Sequence, residues 1–246
     1  MTTKGDSTVE NLLRIVRELA ESASKLTFDS PVTHIYNPLE YAWEAHAEYL
    51  RLYGAKGEER AVLLGMNPGP WGMAQTGVPF GEVSLVSDWL RIRATIGRPA
   101  SEHPKRPVEG FECRRSEVSG RRLWGWAKEQ YDTPDAFFAR FFVANYCPLV
   151  FMEESGRNRT PDKLPVHERK PLLDVCDIAL RESMRLMRPA RVVGVGRFAF
   201  ERASEALSGL NIPIGQILHP SPASPAANRG WQDQAVAQLT ALGVAL

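Results

Sequence analysis

Apolar residues recur at helical spacing over residues 9–26, where Leu12, Val16, Leu19, Ala23 and Leu26 share one face. A second amphipathic stretch, rich in Tyr, Trp and Ala, covers 39–52. The pattern then changes. Short, almost unbroken runs of Val, Ile, Leu, Phe and Ala stand at 61–65, 141–145, 191–195 and 214–218. Runs of that length suit strands buried on both faces, as in a parallel sheet. Helical stretches separate them at 83–96, 134–140, 168–187 and 198–207, and a last one covers 230–242. Strands alternating with helices predict an α/β fold. The expected architecture is one domain over 1–246, with a central four-stranded, mostly parallel sheet flanked by helices on both faces. The first seven residues read as disordered.

In such folds ligands bind outside the carboxyl ends of the strands, so the residues leaving each strand are the place to look for chemistry. The first exit reads Met66-Asn67-Pro68-Gly69-Pro70-Trp71-Gly72-Met73 and runs on through Gln75, Thr76 and Phe80 to Gly81. Backbone stiffened by Pro, with bare Gly amides, suits close approach by a flat ligand. The second exit presents Asn145, whose side chain offers one donor and one acceptor to a base edge, ahead of Tyr146-Cys147-Pro148. The fourth begins His219-Pro220-Ser221-Pro222-Ala223-Ser224-Pro225 and continues to Asn228 and Arg229. Serine hydroxyls and a following helix start can bind phosphate oxygens without net charge.

Charge matters here because the chain carries a net +1 only. A nucleic-acid contact must come from a local patch or from neutral donors, not from the field of the whole protein. The connection 98–126 is one such patch. It holds Lys105-Arg106, Arg114-Arg115 and Arg121-Arg122 with aromatic residues between them, diluted by Glu102, Glu109, Glu112 and Glu117. Cys113, Cys147 and Cys176 are odd in number and far apart, which argues against a disulfide framework, a zinc site and an iron–sulfur cluster. No metal and no cofactor are expected. Neither a signal peptide nor an apolar run near the ~20 residues of a membrane span is visible. The expectation is a cytoplasmic, reduced, non-secreted protein, nucleoid-associated in a bacterium.

The long first loop, the Asn145-Tyr146-Cys147-Pro148-Leu149 segment, residues 103–120 and the His219 loop together resemble the family of single-strand-selective monofunctional uracil-DNA glycosylases. The likeness spans about Asn37 to Trp231. It implies excision of uracil from DNA by hydrolysis of the N-glycosidic bond, within base excision repair, by a monomer acting on single-stranded and duplex DNA. It also implies roles. Asn67 orients the attacking water, and His219 donates to uracil O2 and stabilises the leaving anion. Asn145 reads N3 and O4, Phe80 stacks on the base, and the backbone at Met66 and Gly69 lines the C5 side. Ser221, Pro222, Ala223, Ser224, Asn228 and Arg229 bind DNA. Ala223 stands where much of the family has an Arg that wedges into the duplex, which favours single strands and U·G mismatches over U·A pairs.

Other readings remain at this stage. A pocket open beside C5 admits 5-substituted uracils, and one widened elsewhere admits xanthine or hypoxanthine. A non-catalytic binder of damaged or single-stranded DNA is a second class. Gly194-Val195-Gly196-Arg197-Phe198-Ala199 matches a dinucleotide fingerprint, but it follows the third strand and lacks the acidic residue about 20 positions on. A tight strand–helix turn is the expected role of those glycines. His34, His46, His103 and His167 are expected to be structural or surface residues.

Overall fold

Each of the four apolar runs forms a strand. The computed structural model describes residues 4–57 and 59–246, and its elements in order are α1 (Lys4–Ser24), β1 (Val32–Tyr36), α2 (Pro38–Tyr41), α3 (Trp43–Tyr53), β2 (Ala61–Gly65), α4 (Met73–Thr76), α5 (Val118–Gln130), α6 (Pro134–Phe138), β3 (Phe141–Asn145), β4 (Val150–Glu153), β5 (Asn158–Arg159), α7 (Val166–Met187), β6 (Arg191–Val195), α8 (Arg197–Ala206), β7 (Ile214–Ile217) and α9 (Trp231–Ala241). The main sheet has the order β3-β2-β6-β7, and every pair in it is parallel. The central strand β2 is buried along its whole length, which is why no polar residue interrupts it.

Right-handed crossovers fix the layers. The chain steps from β2 to β3 through α5 and α6, and returns across the sheet through α7 and α8. The steps run in opposite directions, so α5 and α6 cover one face while α7 and α8 cover the other. Helix α1 packs on α7, and α9 joins α5, where Trp126 meets Trp231 edge-on with ring centroids 6.3 Å apart. Trp124, Trp126, Phe137, Phe138 and Phe141 are fully buried between α5, α6 and β3. No described helix is long and apolar enough to cross a membrane.

Several expectations need correction. Disorder over 1–7 is not seen from Lys4 on, where α1 begins; residues 1–3 lie outside the described residues. The helix expected over 39–52 breaks at Ala42 into α2 and α3. The helix expected over 83–96 is a single wide turn, Leu85–Trp89; the chain leaves it through a left-handed Arg91 (φ 56°) and runs extended, burying Leu90 and Ile92. Conversely, the connection 98–126 ends in a real helix, α5, capped by Glu117, whose side chain accepts the Ser119 N–H. A second sheet, β1-β4-β5, antiparallel, was not legible at all. Its β1 and β4 pair across more than a hundred residues of chain.

Candidate active site

The parallel register puts Gly65 directly opposite Asn145 at the carboxyl ends of β2 and β3. The chain needs glycine there. A Cβ on Gly65 would fall 2.6 Å from the ring of Phe80 and would collide with Oδ1 of Asn145. The absence of a side chain there lets the Phe80 ring and the Asn145 amide both close over the strand end. Phe80 itself is held in the left-handed region at φ 55°, unusual for a non-glycine residue and a mark of a functional site. Two groups on α5 over-determine it: Gly120 packs against the Phe80 carbonyl so closely that no Cβ fits, and Trp124 Nε1 donates to the Pro79 carbonyl at 3.1 Å.

In the first loop, Asn67 Nδ2 donates to the Leu149 carbonyl at 3.0 Å. That fixes the amide's orientation and leaves Oδ1 without a protein partner among the described residues. Gly69 and Gly72 abut Glu117, with a Cβ on Gly69 falling 2.5 Å from its Oε2. Burial pushes the Glu117 carboxyl above the usual carboxylate range. Gln75, fully buried, ties this loop to residues 107–110: its Nε2 donates to the Pro70 and Pro107 carbonyls, and its Oε1 accepts from Glu109 and Gly110. Asn145 donates through Nδ2 only to the thioether of Met73 (3.3 Å), a weak acceptor that a ligand oxygen displaces easily.

His219 faces Phe80 with ring centroids 6.0 Å apart. Its Nδ1 accepts the Ser221 N–H at 3.0 Å. A backbone N–H can only donate, so Nδ1 carries no proton and the neutral ring has its hydrogen on Nε2. Burial pushes the imidazole down from the ordinary 6.5 to about 4, so the ring is neutral at physiological pH. The site thus holds an uncharged, tautomer-locked donor. Behind it, Gly196 (φ 91°) approaches the His219 Cβ, and Gly194 leaves room for the start of α8. The glycine motif makes the tight strand–helix turn expected of it, and the structure adds a contact behind His219.

Met66, Asn67, Gly69, Phe80, Asn145, His219, Ser221 and Pro222 line one cleft. Ala223, Ser224, Asn228 and Arg229 do not line it and sit further along the second loop. Asn228 is committed within the protein: its Nδ2 donates to the Pro222 carbonyl and its Oδ1 accepts from Arg122. Arg122, on α5, also donates to the Pro220 carbonyl at 3.0 Å, so it pins the second loop. Ser221 and Ser224 hydroxyl oxygens accept from the Ala223 and Ala227 N–H groups, which leaves their protons free to point outward. The cleft also takes in Met73, Glu117, Ser119, Asn158 and Thr160, which strand-exit reasoning missed because they lie outside the loops it considered or carry no chemical signature there. Among the described residues, one trio could present ligand atoms to a metal, Asp29, His167 and Glu168 at the start of α7; Glu168 Oε1 already accepts the Asp29 N–H there.

The chain matches the family model of the uracil DNA glycosylase superfamily over residues 53–240, and its fold is of that class. A crystal structure of Pedobacter heparinus SMUG2 superimposes with a TM-score of 0.63 at 14% identity, covering 94% of this chain and 99% of that one, which bears on the fold alone. The Rattus norvegicus single-strand selective monofunctional uracil-DNA glycosylase is 50% identical over 238 residues, 96% of this chain and 84% of the relative. The Bos taurus protein of the same name is 48% identical over 240 residues, 97% and 88%. The chain belongs to the family of single-strand selective monofunctional uracil-DNA glycosylases.

Proposed function

We propose that this protein hydrolyses the N-glycosidic bond of uracil in DNA and leaves an abasic site without cutting the strand, as a step of base excision repair. The observation that carries the reading is the neutral His219, with its proton locked on Nε2, sharing a cleft with Phe80, Asn145 and Asn67. Uracil extruded from the stack enters flat against Phe80. Asn145 turns its amide from Met73 to N3 and O4 of the base. His219 Nε2–H donates to O2 and stabilises the anion as the bond to the sugar breaks. Asn67 Oδ1 accepts from a water and orients it toward C1′. An amide cannot take the water's proton, so bond breaking runs ahead of attack, through an oxocarbenium-like sugar.

Neither loop holds a lysine to form a Schiff base, which fits hydrolysis alone. Gly69 leaves backbone rather than side chain beside C5, which supports admission of 5-substituted uracils. In the second loop the Ser221 and Ser224 hydroxyls, with Arg229, contact the strand, and Ala223 offers no wedge. The protein works as a monomer in the cytoplasm, on the nucleoid in a bacterial cell.

Excision should be fastest on single strands, slower on U·G and slowest on U·A, because extrusion costs least where a base is unpaired. Alkaline scission of labelled oligonucleotides after incubation measures all three. Fastest action on U·A would overturn the preference; no scission with any substrate would overturn the activity; scission without alkali would overturn the hydrolase-only mechanism.

The tautomer lock also sets a pH profile. Because the folded-state value of His219 lies near 4, the single-turnover rate should stay level from pH 8 down to about 5. An inflection near 6.5 would contradict a neutral His219. Stability runs the other way from a stabilising charge: His46, also pushed to about 4 by burial, and His219 both stay neutral when folded but protonate at 6.5 when unfolded. Folding stability therefore falls as pH drops from 6.5 toward 4.

A further inference from the structure

Trp71 stands between Pro70 and Gly72, both of which line the cleft, and its own half-exposed ring lies outside that lining. Two guanidinium groups rest on it. The Arg106 Cζ is 5.1 Å from the ring centroid and the Arg115 Cζ is 4.7 Å from it. Stacking on an aromatic face fixes the plane of a guanidinium while leaving N–H edges free to donate. Those edges are largely unused. Arg106 spends one Nη on the Lys105 carbonyl, and its buried Nε has no partner. Arg115 is exposed and makes no side-chain hydrogen bond or ion pair among the described residues.

The nearby carboxylates leave both cations unneutralised. Glu102 is held by Arg98 and the Val108 N–H. Glu117 is turned in against Gly69 and Gly72. Glu109 and Glu112 are exposed, and neither pairs with Arg106 or Arg115 among the described residues. Two arginines held on one tryptophan, next in the chain to the cleft-lining Pro70 and Gly72, suit a charged backbone rather than a base.

We propose that Trp71, Arg106 and Arg115 form a phosphate clamp for the DNA strand that carries the extruded nucleotide. The clamp rests on DNA being the substrate. It grips the backbone beside the pocket directly, which gives the protein a hold on a single strand that needs no wedge at Ala223. It also explains how a chain of net charge +1 binds a polyanion: the charge is placed, not abundant.

The test is fluorescence anisotropy with a uracil-free single-stranded oligonucleotide over a range of salt, using Arg115→Gln, Arg106→Gln, the double variant and Trp71→Leu. Each phosphate contact on a single strand contributes about 0.7 to the slope of log affinity against log salt, so each arginine variant should lose about that much slope and bind about fivefold weaker near 0.1 M salt. Trp71→Leu keeps both charges, yet it should weaken binding because the guanidiniums lose their seat. Unchanged affinity and slope in Arg115→Gln and in the double variant would overturn the clamp. Weakening in the arginine variants with full binding by Trp71→Leu would overturn the tryptophan's part in it. Because the oligonucleotide lacks uracil, a protein that binds through the clamp but never excises would sink the enzymatic reading alone.

Discussion

Replacing His219 with Ala is expected to slow single-turnover release of uracil from single-stranded DNA by about 100- to 1000-fold, the typical loss when one preorganised donor to a developing anion is removed. The reasoning is local. Burial keeps the ring neutral and the Ser221 N–H keeps its proton on Nε2, so the donor is aimed before substrate arrives and no reorganisation is needed at the moment the bond breaks. Affinity for an uncleaved analogue should change far less than the rate, because the donor gains strength only as charge develops on the base. Asn67→Ala should also lose activity, through water positioning rather than anion stabilisation. A double variant then falls short of the product of the two losses if both residues act in one step. A fully active His219→Ala, folded as judged by circular dichroism, would end the assignment.

The second large effect is on stability. Gly120→Ala places a methyl group in the first turn of α5; within a helix, propensity alone favours Ala by about 1 kcal/mol. The contacts predict the opposite sign. A Cβ at this position collides with the Phe80 carbonyl, lying 2.9 Å from its carbon and 3.1 Å from the Glu82 nitrogen. These are backbone atoms in a left-handed turn and have little room to yield. Overpacking of this kind costs about 3 kcal/mol, so the variant should melt lower in a thermal denaturation, and it should lose activity as Phe80 shifts. A raised melting temperature would show that α5 can move away from the loop, and with it that Phe80 is not held as described.

The main sheet was readable from the sequence because its strands are buried on both faces and so carry no polar interruptions. The residues leaving those strands were readable for a related reason: the sheet topology places them at one edge. The antiparallel sheet was not, since β1 depends on β4, far along the chain, for its identity as a strand. Helix α5 was hidden by its own composition, with Gly120 and Gly125 inside it and arginines on its surface. Gly120 is there for Phe80, a reason no local pattern contains. The same holds for Gly65, Glu117 and Arg122, which act through what they touch rather than through reactive groups. Trp71 was visible only as part of the first strand exit, and Arg106 and Arg115 only as part of a diluted basic stretch, until the fold stacked the three together.

Glu117, Gly120 and Trp124 are spaced three and four residues apart, so they share one face of α5, and all three bear on the first loop; Arg122 reaches the second loop from the same helix. The two halves of the cleft are therefore indexed to a single rod. One residue inserted between Glu117 and Gly120 would rotate every later anchor by about 100° and detach both loops at once.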